Sequence, residues 1–406
     1  MKIITLLFTL NILTTLAFSE DWPGFGGSNG NFKSLETGII TNWEKQEPQK
    51  LWSTEVGLGF SSIIEVDGFA FTQGYSRGKN TIYCLGAEDG KIIWKSDFPC
   101  SKSDNYFKGG SRSTPLVNKG NLYLCTHVGD IYCLNAKTGT VKWSFNLVKD
   151  FGGRRPTWGY AASPVIFQDK LLIVTGAEDA SLISLDTETG EVFRKKGNYE
   201  AAYATPAVYE NEGEVLVFHE SGLSIHALSN GEEKSFYQHK TRYGINAAQP
   251  INVGKNILVS SAYGKGSALI DFSSKVGNTK WKTDKVASQM ASAIHHDGFI
   301  YGIHGQAGSR SNFSTLFCMN AENGKIFWEE KGYGLSSIIL VGSTLVLLSE
   351  SGELALIDAS PKQFKELANF QVLSGKDNWV PPSYANGRLH CRSSDGNWIC
   401  LRMGKD

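Results

Sequence analysis

Apolar and polar positions alternate along this chain in short runs that return at regular intervals. Eight paired runs stand out, at 63–73, 115–125, 164–174, 206–218, 250–260, 293–303, 338–348 and 382–392. They are short alternating runs rich in Val, Ile, Leu, Tyr and Phe, as half-buried strands are. Turn pairs such as Asp67-Gly68, Asp297-Gly298 and Asn386-Gly387 sit at the middle of their runs, which is hairpin chemistry. No helical period interrupts the pattern. The sequence therefore predicts eight hairpins in a row.

A second unit recurs between the hairpins: a small residue, two polar residues, Gly, and a Trp four positions on. It reads Ala87–Gly90–Trp94, Ala136–Gly139–Trp143 and Ala321–Gly324–Trp328, with Ser274–Gly277–Trp281 as a variant. Gly190 and Gly231 hold the same place without the Trp, with Phe193 and Phe236 nearby. The glycines at 90, 139, 190, 231, 277 and 324 are 49, 51, 41, 46 and 47 apart, the spacing of a four-stranded propeller blade. The Gly turns the chain between third and outer strands, and the Trp buries its ring against the next blade. Pro115, Pro164, Pro206, Pro250 and Pro382 each open an inner strand, where a missing N–H is tolerated.

The expected fold is an all-β, eight-bladed β-propeller of four-stranded antiparallel blades. The first complete blade spans about 60–98. The last supplies three strands, ending at 398–403, and 51–56 is expected to return as its outer strand and close the ring. The domain plan is a signal peptide over 1–19, a peripheral segment over 20–50 and one propeller over 51–406. A chain of 406 residues exceeds the usual span of one core, but repeats escape that limit because each unit adds its own.

Lys+Arg and Asp+Glu balance at 40 each, which gives no ground for a nucleic-acid partner. The first residues, Met-Lys followed by an apolar run to Phe18 and then Ser19, have the form of a cleaved secretory signal. Export to the periplasm or beyond the cell follows, and no later segment is long and apolar enough to cross a bilayer. Of the seven cysteines, Cys125/Cys133 and Cys391/Cys400 flank hairpin turns and leave a disulfide open. Small buried thiols are the simpler reading.

At this point the Ala-x-x-Gly-x-x-x-Trp units resemble the PQQ-type repeat of the quinoprotein-like, BamB-like β-propeller family. The stretches Trp22-Pro23-Gly24-Phe25-Gly26-Gly27, Trp158-Gly159-Tyr160-Ala161-Ala162-Ser163-Pro164 and Ala359-Ser360-Pro361-Lys362-Gln363-Phe364-Lys365 are similar to it as well. The resemblance implies one of two roles. One is a non-catalytic scaffold in the envelope that binds a protein or peptide. The other is an oxidoreductase acting on alcohols or sugars through PQQ and calcium. Enzymes of the family carry neighbouring cysteines or a covalent haem motif, and this chain has neither. No cofactor and no metal site are expected; His295 and His296 adjoin on one strand and point to opposite faces. A monomer is expected.

The loops joining each outer strand to the next inner strand gather at one end of a propeller. They carry Arg112, Arg154, Arg155, Trp158, Tyr160, Tyr199, Tyr203, Arg242, Tyr243 and Trp379. Arginines and aromatics on one concave face suit an anionic planar ligand or a peptide. The competing reading is that these rings merely pack the channel mouth.

Overall fold

The computed structural model describes residues 19–44, 48–102, 107–209, 213–308 and 313–404. The signal-peptide expectation falls on residues 1–18, outside them. Eight antiparallel sheets follow one another along the chain. Blade 1 comprises Ile64–Val66, Phe69–Ser76, Lys79–Gly86 and Ile92–Pro99, and blades 2 to 7 begin at Leu116, Val165, Ala207, Ile251, Ile294 and Ser337. Blade 8 takes Ser383–Ala385, Arg388–Arg392 and Asn397–Arg402 from the carboxyl end. Its outer strand is Gln49–Glu55, antiparallel to Asn397–Arg402, so the two ends of the chain close the ring as expected. The hairpin turns behave as their residues require: Asp67, Asp297 and Asn386 and the glycines after them all lie at positive φ, the conformation that keeps step with strand twist.

The described residues contain one helix, Leu147–Phe151, which the strand pattern did not announce. The Asn146 side chain accepts from Val148 N and Lys149 N, and Gly152 ends it in the left-handed region, the ordinary start and stop chemistry.

The blade-to-blade joints explain the repeat. Trp94 Nε1 donates to Ala136 O of the next blade at 2.9 Å. Trp143 reaches Thr187 O, Trp281 reaches Ala321 O and Trp328 reaches Ser360 O in the same way. The closing strand obeys the rule too, with Trp52 donating to Ala87 O at 2.9 Å. The indoles of Trp52, Trp94, Trp143 and Trp281 lie on the next blade's turn glycine: a Cβ at Gly139 would stand 2.6 Å from the Trp94 ring. Only glycine allows that approach. Where the Trp is missing, another donor stands four residues after the glycine. Arg194 donates to Ser229 O, and Ser235 Oγ donates to Ser274 O at 3.0 Å. In blade 7 the equivalent register position is Ala368, and Trp43 from the amino-terminal segment packs there on Phe370.

Four cysteines belong to the same device. Cys84, Cys133, Cys318 and Cys400 sit directly opposite Trp94, Trp143, Trp328 and Trp52 on the paired strand. A small buried residue leaves room for the indole. Cys125 pairs with Ile131 and Cys391 with Ile399, and all seven thiols are free and buried.

Closure between blades 8 and 1 is reinforced by charge. Glu65 of blade 1 is fully buried. It accepts from both Arg388, at Nε (3.2 Å) and Nη2, and His390 Nε2 (2.8 Å) on blade 8. Burial works against this carboxylate, but the His390 and Arg388 bonds outweigh it and hold Glu65 down at about 2.

Candidate functional site

The connections from outer strand to next inner strand emerge at one end of the ring, and beneath them runs a belt of hydroxyls. Ser62 N donates to Thr114 Oγ1, Thr114 N to Ser163 Oγ, and Ser163 N to Thr205 Oγ1, each at 2.9–3.0 Å. Gln249 N repeats the contact with Ser292 Oγ. These polar residues stand immediately before the inner strands, so blades 1, 2, 3 and 5 each hand a backbone donor to the next blade. The belt residues are almost wholly buried. It is the floor on which the mouth is built.

Above it, residues from five successive connections form a continuous row. Trp379 is stacked on Phe60 with centroids 5.7 Å apart and planes 17° apart, and Phe107 meets it edge-on. The Arg112 guanidinium lies over the other partner of that stack, 5.1 Å from the Phe60 centroid, and its Nε donates to Trp158 O at 2.8 Å. Trp158 stands edge-on to Tyr203. Burial lowers Arg112 to about 10 and raises Tyr203 to about 12. Both keep their ordinary charge at neutral pH.

Other predicted positions lie elsewhere. Tyr160 is buried under blades 2 and 3, with its hydroxyl donating to Thr175 O at 3.0 Å. Tyr199 is turned inward as well, stacked on His219 at 4.0 Å. Arg154 is exposed and pairs with Glu200 at 3.0 Å, and Arg155 is exposed beside it. Arg242 lies 5.2 Å from the Tyr243 centroid, Tyr243 is 54% exposed, and Tyr263 meets it edge-on. The mouth thus has a packed row of Trp379, Phe60, Arg112, Trp158 and Tyr203, and an exposed rim of Arg154, Arg155, Arg242 and Tyr243.

Two residues that sequence reasoning passed over hold this row in place. Phe60 is its centre. Arg392, fully buried on blade 8, donates to the carbonyls of Ser61, Gln73 and Gly57 and to Thr72 Oγ1 at 2.7–3.1 Å. It thereby braces the connection that carries Phe60. Burial lowers Arg392 to about 10. The Ser-Thr-Pro, Ala-Ser-Pro and Ala-Thr-Pro triplets at 113–115, 162–164 and 204–206 were the legible trace of the belt.

Among the described residues no three His, Cys, Asp or Glu side chains gather into a group able to hold a metal ion, so the donor set of a metal–quinone site is not found there. A Ser–His–acid cluster does exist in blade 4. Ser224 Oγ donates to Glu233 at 2.7 Å while His219 Nε2 lies 2.9 Å from the same oxygen. The hydroxyl proton already points to the carboxylate, so the imidazole donates rather than accepts. A base must accept the nucleophile's proton; this serine is buried and unactivated.

Comparison with known proteins agrees with the repeat. The family model for outer membrane protein assembly factor BamB matches residues 78–330, more than half of the chain. A BamB of Burkholderia pseudomallei is 25% identical over 167 residues, 41% of this chain and 37% of that protein. A quinohemoprotein alcohol dehydrogenase of Pseudomonas putida is 28% identical over 153 residues, 34% of this chain and 20% of that one. The chain thus spans between about a fifth and two fifths of the length of these curated relatives. The crystal structure of BamB from Moraxella catarrhalis superposes with a TM-score of 0.63 at 14% identity, covering 87% of this chain and 99% of that one, which is a likeness of fold. The glycine–tryptophan joints, the eight blades and the family match together place this chain in the BamB-like family of PQQ-repeat β-propellers.

Proposed function

We propose that this propeller is an exported, non-catalytic scaffold of the cell envelope that binds a protein or peptide at its channel mouth. The observation that carries this reading is the exposed rim. Arg155 and Arg242 have no carboxylate within 4 Å among the described residues, and Tyr243 presents more than half of its surface beside them. Arginine and tyrosine on a rigid base are the side chains that dominate protein hot spots. Tyr263, edge-on to Tyr243, helps hold that ring in place, which lowers the ordering cost of binding. The partner expected is an extended segment with acidic and aromatic side chains. Kinship with BamB, an outer membrane protein assembly factor by name, supports an envelope partner.

A second reading, a PQQ-dependent oxidoreductase acting on alcohols or sugars, draws on the resemblance to the Pseudomonas putida dehydrogenase. One titration separates the two. The mature protein is titrated with PQQ, with and without calcium, while tryptophan fluorescence and melting temperature are followed. The scaffold reading expects no saturable quenching. Saturable quenching that Arg154→Ala or Trp158→Ala weakens would overturn it in favour of the enzyme.

A further inference from the structure

The opposite end of the channel is built differently. Residues 22–34 cross it as a strap. Pro23 O accepts from Val117 N in blade 2, Gly30 O from Gln249 Nε2 ahead of blade 5, and Phe32 O from Leu340 N in blade 7. Lys33–Ser34 then run parallel to the inner strand of blade 7. The strap covers the ring unevenly. The inner strands of blades 7 and 8 are buried along their whole length. Those of blades 3, 4 and 5 keep half-buried residues such as Val165, Ile166, Val208 and Ile251. Between them and the strap lies a cavity of about 430 Å³, within the range of small-molecule sites, roughly 300–1,000 Å³.

We propose that this cavity binds a small aromatic carboxylate. The wall is apolar at the four inner-strand residues and at Phe25 of the strap, which offers a ring for an aromatic partner, and polar at Asn29, Asn31, Gln249 and Asn252. The charged groups on the wall are Lys33 and His295, and no Asp or Glu lines it. Lys33 is half-buried and has no carboxylate within 4 Å among the described residues. Asp297, in the adjoining turn, acts on both Lys33 and His295 only through its field. Burial lowers the pKa of Lys33 and of His295, and the more distant Asp297 charge offsets it only in part. A carboxylate entering the cavity supplies a counter-ion to Lys33, while His295 stays neutral and can donate a hydrogen bond. An apolar acid fits walls and charge together. A cation would meet Lys33.

The test uses the mature chain and fluorine NMR with two probes of one shape, 4-fluorobenzoate and neutral 4-fluorobenzamide. The expected result is saturable broadening of the benzoate signal and binding of the amide weaker by about tenfold, the effect of one lost ion pair of about 1.4 kcal/mol. Lys33→Met keeps the stem and should weaken benzoate about tenfold while leaving the amide unchanged. Ile166→Trp fills the cavity without touching Lys33 and should abolish binding of both. Equal binding of the two probes, benzoate binding that survives Ile166→Trp, or no saturable benzoate binding at millimolar concentration would each overturn the proposal.

Discussion

Gly139 lies at φ +70° with the Trp94 indole where a side chain would begin, whereas Gly120 has a similar φ and open space around it. The pair separates two costs. Gly120→Ala meets backbone strain alone and should destabilise by about 1 kcal/mol. Gly139→Ala adds a collision with a ring held on both sides and should cost about 3 kcal/mol or more. Urea unfolding of both variants measures the difference. Glu65 gives the acid limb of stability. Its carboxyl is held at about 2 in the fold against 4.5 ordinarily. Its contribution is complete above the ordinary value and is lost as pH falls through about 2. The shift corresponds to something on the order of 3 kcal/mol. The stability gap between the parent protein and Glu65→Gln should therefore be steady between about pH 5 and 6 and shrink below about pH 4; it should shrink again as pH rises through about 9, where His390, held up partly by Glu65, loses its proton. A gap that does not change with pH would show that the Arg388 and His390 contacts do not hold the charge. At this scale the sequence is legible where geometry admits one residue: the glycines of the repeat can be read at sight. Glu65 and Arg392 cannot, because their partners lie more than 300 positions away.

Between elements, the joint is a donor placed four residues after a turn glycine and aimed at the neighbouring blade's carbonyl. Tryptophan announces it in the sequence, and Arg194 and Ser235 do not, since the joint requires a hydrogen-bond donor rather than one side chain. Trp143→Phe keeps the ring and removes the donor, and Ser235→Ala removes a hydroxyl alone. Each should cost about 1 kcal/mol, the usual net worth of one such bond. Thermal unfolding that leaves both unchanged would mean that ring contact alone joins the blades. The cysteines belong to these joints too. Burial pushes Cys84 and Cys133 up to about 12 and Cys318 to about 11, so the thiols are poor nucleophiles in the native state. Ellman's reagent should find none reactive in the folded protein and seven after denaturation. Five would mean that one hairpin pair is oxidised after all. Hairpin flanks alone left that pairing open, because one step in register decides which residues face each other.

The whole molecule is a ring whose two chain ends meet in blade 8. Removing residues 19–56 takes away the outer strand of that blade, the Trp52 joint and the strap. Such a chain should lose its single cooperative transition, as seen by circular dichroism and tryptophan fluorescence together. Blade number, hairpins and closure were readable because each repeats or completes a pattern. The mouth was readable only as a set of loops. Side-chain direction within a connection depends on what lies across the channel, so Tyr160 and Tyr199 turn inward, Trp379 stacks on an unsuspected Phe60, and Arg242 with Tyr243 faces solvent. The proposed function rests on that exposed rim, and a double charge reversal addresses it without disturbing the buried row. The decisive measurement is affinity capture from envelope extracts with the parent protein and with Arg155→Glu/Arg242→Glu, after both are shown to melt alike. The scaffold account predicts a discrete partner held by the parent and reduced at least about tenfold by the reversal. Equal recovery by both proteins, or no partner above background with either, would contradict it.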